Sequence, residues 1–350
     1  MKIKKILPLI LFLLMPIGVL GFDESAIIYN STVAEEQQIA LGIRKEGQMG
    51  ASSGRIAENA YNIGIAFKFD GSSSQGYKSG WRDATTPGCL CEGWGAGFVD
   101  RVGRQSHGRA NQSVGGVYNL EVKSFVSDET SISSTVWIKD SVGQPVLEVT
   151  HRFGPAAKVP GVLFQALVTM TNISGDTLKD VRYNRTMDWD IPPTEFNEYV
   201  TIKGAEASAA SPDTPKVLYS GNNGFMTPYP FGNISSYTMG HTINKDTNRL
   251  GPRDHGFTST FSLGELLCGE AHTFMIYYGA AENRTKIEAA FATEDVPLYS
   301  IGESSERRFG RYYGSKVSFG FGFKGVSGSA IAPSLPTKTA ILPGGIETDE

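Results

Sequence analysis

Apolar and polar residues alternate with a period of two through most of this chain. Ile63, Ile65, Phe67 and Phe69 alternate with Asn62, Gly64, Ala66 and Lys68; Leu147, Val149, His151 and Phe153 alternate with Glu148, Thr150 and Arg152. Successive side chains of an extended backbone point to opposite faces, so each run predicts a strand with one buried face. The pattern recurs over 118–126, 132–138, 163–171, 181–190, 257–263, 271–278 and 317–323, each bounded by Gly, Pro, Asn, Asp or Ser. One helix is expected, where Ile287, Ala290, Phe291 and Glu294 keep helical spacing behind the capping segment Asn283-Arg284-Thr285. Many short strands without interleaved helices predict an all-β, antiparallel β-sandwich over residues 22–326. Its length allows one enlarged sandwich or two units divided near 127–145.

Three stretches break the alternation and are expected to be loops or tail: 71–95, 203–256 and 327–350, the last a disordered terminus rich in Ser, Pro, Gly and Thr. At the other end, Lys2, Lys4 and Lys5 precede an apolar run from Ile6 to Leu20 that is short for a membrane span and interrupted by proline. That combination predicts a signal peptide over 1–21, and therefore a secreted protein of the extracellular space or cell envelope with no stable membrane insertion after cleavage. Composition agrees with a globular, turn-rich chain: 40% hydrophobic, 19% charged and 41 Gly in 350 residues. A net charge of −4 with scattered Lys and Arg offers no basic field, which excludes nucleic acid as the expected partner.

Three cysteines, Cys89, Cys91 and Cys268, leave one thiol over. In an oxidising compartment the expected bond joins Cys268 to Cys89 or Cys91. A metal site is the poorer reading, because Cys-x-Cys lacks the usual Cys-x-x-Cys spacing and no paired His lies nearby in sequence.

Several segments carry a resemblance. Asn172-Ile-Ser-Gly175, Val181-Arg-Tyr-Asn-Arg-Thr-Met-Asp-Trp-Asp-Ile191 and Pro193-Thr-Glu-Phe-Asn-Glu-Tyr-Val-Thr-Ile202 resemble segments of exported bacterial surface proteins of the PEP-CTERM-associated type. So do Pro87-Gly88, Glu92-Gly-Trp-Gly95, Tyr278-Gly-Ala-Ala281 and Leu298-Tyr-Ser-Ile-Gly302. The chain departs from that family in lacking the Pro-Glu-Pro motif, the C-terminal apolar helix and the basic end of the sorting tail. The resemblance implies an exported, exopolysaccharide-associated surface protein, and assigns no catalytic residues.

Candidate chemistry centres on the strand at 181–190. Val181, Tyr183, Met187 and Trp189 are expected to face the core, while Arg182, Asn184, Thr186, Asp188 and Asp190 form a polar row on the other face. Asp188 and Asp190, with Glu195 and Glu198 from the next segment, have the chemistry to bind a hard cation such as calcium or to act as an acid/base pair on a sugar. The structural alternative is that Arg182 and Arg185 neutralise the acids while Asp190 satisfies turn amides. Trp81 and Trp94 beside the Cys loop, and Tyr219, Phe225, Tyr229 and Phe231 in the Pro-rich region, are candidate platforms for sugar rings. No His or Ser falls in a triad or elbow pattern, so no catalytic residue is assigned and no cofactor other than calcium is called for. The favoured function is binding or structural, on polysaccharide or envelope components; the alternative is a carbohydrate-active enzyme using the acids near Asp188.

Overall fold

The computed structural model describes residues 24–327 apart from 53–55, 73, 76–77, 233–240, 306, 309–310 and 313–314. The expected signal peptide and all of the expected tail beyond Ser327 lie outside the described residues. Antiparallel strands make up almost all regular structure, as the alternation predicts, with two short α-helices among the described residues.

A nine-stranded sheet runs in the order Thr247–Arg253, Glu198–Lys203, Leu298–Ser304, Ser318–Lys324, Ala271–Ala281, Leu163–Asn172, Pro145–Pro155, Ile132–Lys139 and Leu120–Ser127. A five-stranded sheet is ordered Lys216–Gly221, His255–Leu266, Leu178–Trp189, Gly93–Val99 and Gln105–Asn111. A four-stranded sheet near the N-terminus is ordered Ser25–Tyr29, Ile39–Arg44, Ile65–Phe69 and Gly80–Asp83. Residues 127–145, read above as the place of a division, lie inside the large sheet, where Ile132–Lys139 pairs with a strand on each side. One hydrophobic cluster takes residues from all three sheets, among them Leu41, Phe67, Val149, Phe164, Tyr183, Phe261 and Phe321. Burial of these apolar faces against one another is what a sandwich architecture requires of strands with one apolar side.

The run Phe319-Gly320-Phe321-Gly322-Phe323 illustrates how alternation serves two faces at once. Its three phenylalanines are buried in the main cluster. A Cβ at Gly320 would meet the Phe291 ring at 2.6 Å, so glycine is what lets the helix Arg284–Thr293 lie flat on the strand's outer face. That helix has the expected cap, with the Asn283 side chain accepting from the Lys286 amide.

Candidate metal centre

Leu178–Trp189 alternates as expected, but both of its faces are buried. On the inner face Tyr183, Arg185, Met187 and Trp189 point to the nine-stranded sheet, with Trp189 Nε1 donating to Ser300 Oγ at 3.1 Å. From Asn184 onward the outer polar row does not meet solvent, because residues 222–230 of the Pro-rich stretch fold over it. Thr186 Oγ1 donates to the Gly224 carbonyl at 3.1 Å, and Asn184 Nδ2 donates to Thr260 Oγ1 at 2.6 Å. The covering turn comes so close that a Cβ on Gly224 would lie 2.8 Å from Asp188 Oδ1.

At the end of this row stands a cluster of acids. Asp188 and Asp190 leave the strand on the same side, and the paired strand brings Asp254 alongside, since Trp189 is opposite His255 and Asp188 opposite Gly256. Carboxylate oxygens of Asp188, Asp190 and Asp254 all lie within 4.8 Å of one another. Asp190 is fully buried with neither carboxylate oxygen hydrogen-bonded, and Asp188 Oδ1 and Glu198 Oε2 are likewise without a partner. Asp254 is exposed, which opens the cluster to solvent on one side. Burial, and then repulsion from Asp188, Glu198, Asp254 and Asp83, pushes the Asp190 carboxyl up to about 10. Burial foremost lifts Glu198 to about 9, raises Asp188 well above the carboxylate range with Asp254 adding to the effect, and raises Asp254. Buried carboxylates without hydrogen bonds are costly when charged, and either a proton, as the raised pKa values describe, or a bound cation removes that cost.

Several expectations are corrected here. Arg182 does not neutralise Asp188; it pairs with Asp180 at 2.8 Å. Arg185 is fully buried on the opposite face and pairs with Glu92, for alternation places it beside Tyr183 and Met187 and not beside the acids. Glu195 is outside the cluster and accepts from Asn59 Nδ2 at 3.2 Å. Trp94 offers no platform for a sugar, being wholly buried, stacked on Tyr183 and donating to the Glu46 carbonyl. Trp81 is half-buried against Tyr29 in the N-terminal sheet. Tyr219 is buried, and Tyr229 and Phe231 are half-buried against His107 and Arg182, whereas Phe225 is 42% exposed. Phe196, 46% exposed, packs on Gly88, whose Cβ would stand 3.8 Å from Asp190 Oδ1. The exposed Phe196 ring therefore stands beside the acids, and the exposed Phe225 follows Gly224, which lies against Asp188.

The cysteines differ from expectation as well. Cys89 is bonded to Cys91, and Cys268 is a free, exposed thiol. The reason is distance along the sheet. Leu178, at one end of its strand, pairs with Leu266, two residues before Cys268, while Cys89 Sγ lies 3.5 Å from Asp188 Oδ2 at the other end. Ten strand residues separate those ends by roughly 30 Å, beyond the reach of a disulfide. Closing so short a loop is worth about 1.6 kcal/mol by chain entropy, against about 4.7 kcal/mol for a hundred-residue loop, so this bond adds little to stability.

A cavity of about 380 Å³ lies away from the acids, lined by Asp100, Arg104, Asp140, Gln144, Ser174 and Asp176 among others. Its acids Asp100 and Asp140 are occupied with the amides of their own turns. The cluster at Asp190, with its unpartnered buried oxygens, is the stronger candidate.

No family model matches the sequence, and no curated protein matches it. Two solved structures are similar in outline. One, titled as the crystal structure analysis of HI1317, is 6% identical over 81% of each chain with a TM-score of 0.23. The other, the Slr1438 protein from Synechocystis sp. PCC 6803, is 7% identical over 84% of this chain and 94% of its own, with a TM-score of 0.29. Likeness at these scores carries no argument about what this chain does.

Proposed function

We propose that this chain is an exported binding protein of the cell surface or extracellular matrix that holds a calcium ion between Asp188, Asp190 and Asp254 and uses it to engage polysaccharide. One observation carries the reading: three carboxylates converge within 4.8 Å, and the fully buried Asp190 has neither oxygen partnered. Calcium binds oxygens at about 2.3–2.6 Å, so two ligands on opposite sides of the ion stand about 4.8 Å apart. Calcium takes six to eight oxygens, more than the three that one oxygen from each aspartate supplies, and the exposed side at Asp254 leaves positions for water or sugar hydroxyls. Phe196 at the rim supplies an apolar face of the kind that stacks on sugar rings. Export and a polysaccharide partner rest on the N-terminal pattern and the family resemblance, and extracellular calcium suits a site of modest affinity.

A glycosidase is disfavoured, because it needs two carboxyl groups facing one another across an open cleft, one of them ionised. Here Asp188 and Asp190 are buried side by side at the end of one strand and do not face one another across an open cleft.

Chelator-treated protein should melt several degrees higher when calcium is restored. At a concentration one hundred times Kd the linkage is about 2.7 kcal/mol, or roughly 4 °C for a cooperative unit of about 300 residues. Asp188→Asn and Asp190→Asn should each abolish that shift, while the calcium-free melt stays put or rises because like-charge repulsion is relieved. A wild-type melt indifferent to calcium would refute the site. Retention on polysaccharide that is unchanged by chelator would refute its role in binding.

A further inference from the structure

Cys89, Cys91 and Asp188 form a second constellation that shares a residue with the first. The two Sγ atoms and a carboxylate oxygen of Asp188 all lie within 4.8 Å of one another. Asp188 is almost wholly buried and its Oδ1 has no hydrogen-bond partner. In the disulfide the Cys89 sulfur carries no proton, so its 3.5 Å approach to Asp188 Oδ2 is a contact and not a hydrogen bond. Cys-x-Cys alone is a poor metal motif; here the third ligand comes from a strand ninety-nine residues away, delivered by the fold.

We infer that opening the Cys89–Cys91 bond converts this corner into a thiolate site for a borderline divalent ion of the zinc class, with Cys89, Cys91 and Asp188 as ligands, so that the oxidation state of the pair decides which metal Asp188 serves. It rests on the calcium reading in one respect, that Asp188 is available as a ligand. The donor set decides the preference: oxygens alone suit calcium, whereas two sulfurs and one oxygen suit zinc and leave a fourth position for water. Cys89 is half-buried and Cys91 buried, so an incoming thiolate attacks Cys89. A dithiol supplies the electrons. Its first thiolate forms a mixed disulfide with Cys89 and releases Cys91 as a thiolate, and its second thiol displaces Cys89 while closing to the cyclic disulfide. The protein gains two electrons and two protons. Binding of the divalent ion then releases those two protons, because thiolates and not thiols are ligands.

The test uses the full chain carrying Cys268→Ser, which removes the exposed free thiol. The protein is reduced with dithiothreitol, desalted without oxygen and titrated with cobalt(II). The expected result is one equivalent of cobalt bound with a thiolate-to-cobalt charge-transfer band, its displacement by zinc, and no band in the disulfide form. Cys89→Ser, Cys91→Ser, or carboxamidomethylation of the reduced folded protein should each remove the band; the last does so without relying on a variant that folds. Absence of the band from reduced protein, or its survival in Cys91→Ser, would overturn the inference. Failures separate cleanly: a calcium shift without a cobalt band sinks the thiolate site alone. A cobalt band weakened by Asp188→Asn, in a protein indifferent to calcium, upholds the thiolate site and sinks the calcium reading, and with it the choice between two metals at Asp188.

Discussion

His107 lies between the rings of Tyr118 and Tyr229, with centroids 5.0 and 4.5 Å away, and Arg109 Nη1 stands 3.3 Å from its Nε2. The guanidinium is a donor only, so the imidazole nitrogen accepts and the ring is neutral. Burial, followed by the Arg109 charge, lowers the His107 pKa to about 4. A base lowered on folding binds fewer protons in the native than in the unfolded chain, so its contribution to stability is present above pH ~6.5 and is lost as pH falls towards 4. Half exposure screens the effect to about 1 kcal/mol. Between pH 7 and pH 5, wild-type protein should therefore lose roughly 1–2 °C more than His107→Gln in thermal melts, and equal losses would refute this. Other residues show how far the site was legible in the sequence. Strict alternation placed Asp188 and Asp190 on one face, and that placement holds. Asp254 was hidden in a stretch read as loop, because only the pairing of His255 with Trp189 brings it to the acids. Trp94 misled because a tryptophan beside glycines suggests exposure, while those glycines let the chain over 228–231 press onto the sheet, as Pro228 and Phe231 do at Gly95 and Gly97.

At the scale of the strand Leu178–Trp189, one charge is sunk into the apolar face. Arg185 donates through Nε to Glu92, through Nη1 to the Tyr183 hydroxyl and through Nη2 to the Gly47 carbonyl. Glu92 also accepts from the Met49 amide at 2.7 Å and the Tyr278 hydroxyl at 3.3 Å. This network ties the turn after Ile39–Arg44 to both large sheets. Desolvation acts against the buried guanidinium, and the Glu92 charge and hydrogen bond together with Tyr183 and Tyr278 more than offset it, so the Arg185 pKa is raised overall. Removing one partner strands the other charge. Arg185→Met should cost about 3–5 kcal/mol in denaturant unfolding, and adding Glu92→Leu should recover part of that loss, since Met49 then lacks its acceptor. An additive double variant would show that the pair is not coupled. Alternation alone could not reveal this, because an Arg at a core-facing position reads as an exception until its acid is found. The strands Gly93–Val99 and Gln105–Asn111 escaped notice for a related reason: glycine and polar residues hold the places that alternation would fill with apolar ones, and the covering loop supplies the contacts.

Over the whole molecule, the sandwich class follows from the many alternating runs, whereas the count of sheets and their joining in one core depends on long-range pairing that no local pattern encodes. The strand Glu198–Lys203 shows the linkage: it belongs to the nine-stranded sheet, yet the chain reaching it runs from Asp190, just past the end of Leu178–Trp189 in the five-stranded sheet, and Asp190 donates its amide to the Ala84 carbonyl beside the N-terminal sheet. Acids from this crossing are thus held by three sheets at once. Leu41 of the N-terminal sheet is fully buried in the cluster shared with the other two. If that cluster is one cooperative unit, Leu41→Ala should destabilise the entire molecule by about 2–5 kcal/mol and not release the N-terminal sheet alone. Calorimetry should then show a single transition in wild type and variant, displaced to lower temperature in the variant, and near-ultraviolet circular dichroism, dominated by the buried Trp94 and Trp189, should lose its signal at the same temperature. A separate early transition in Leu41→Ala, with the tryptophan signal melting as in wild type, would show that the N-terminal sheet unfolds by itself and that the acid site can persist without it.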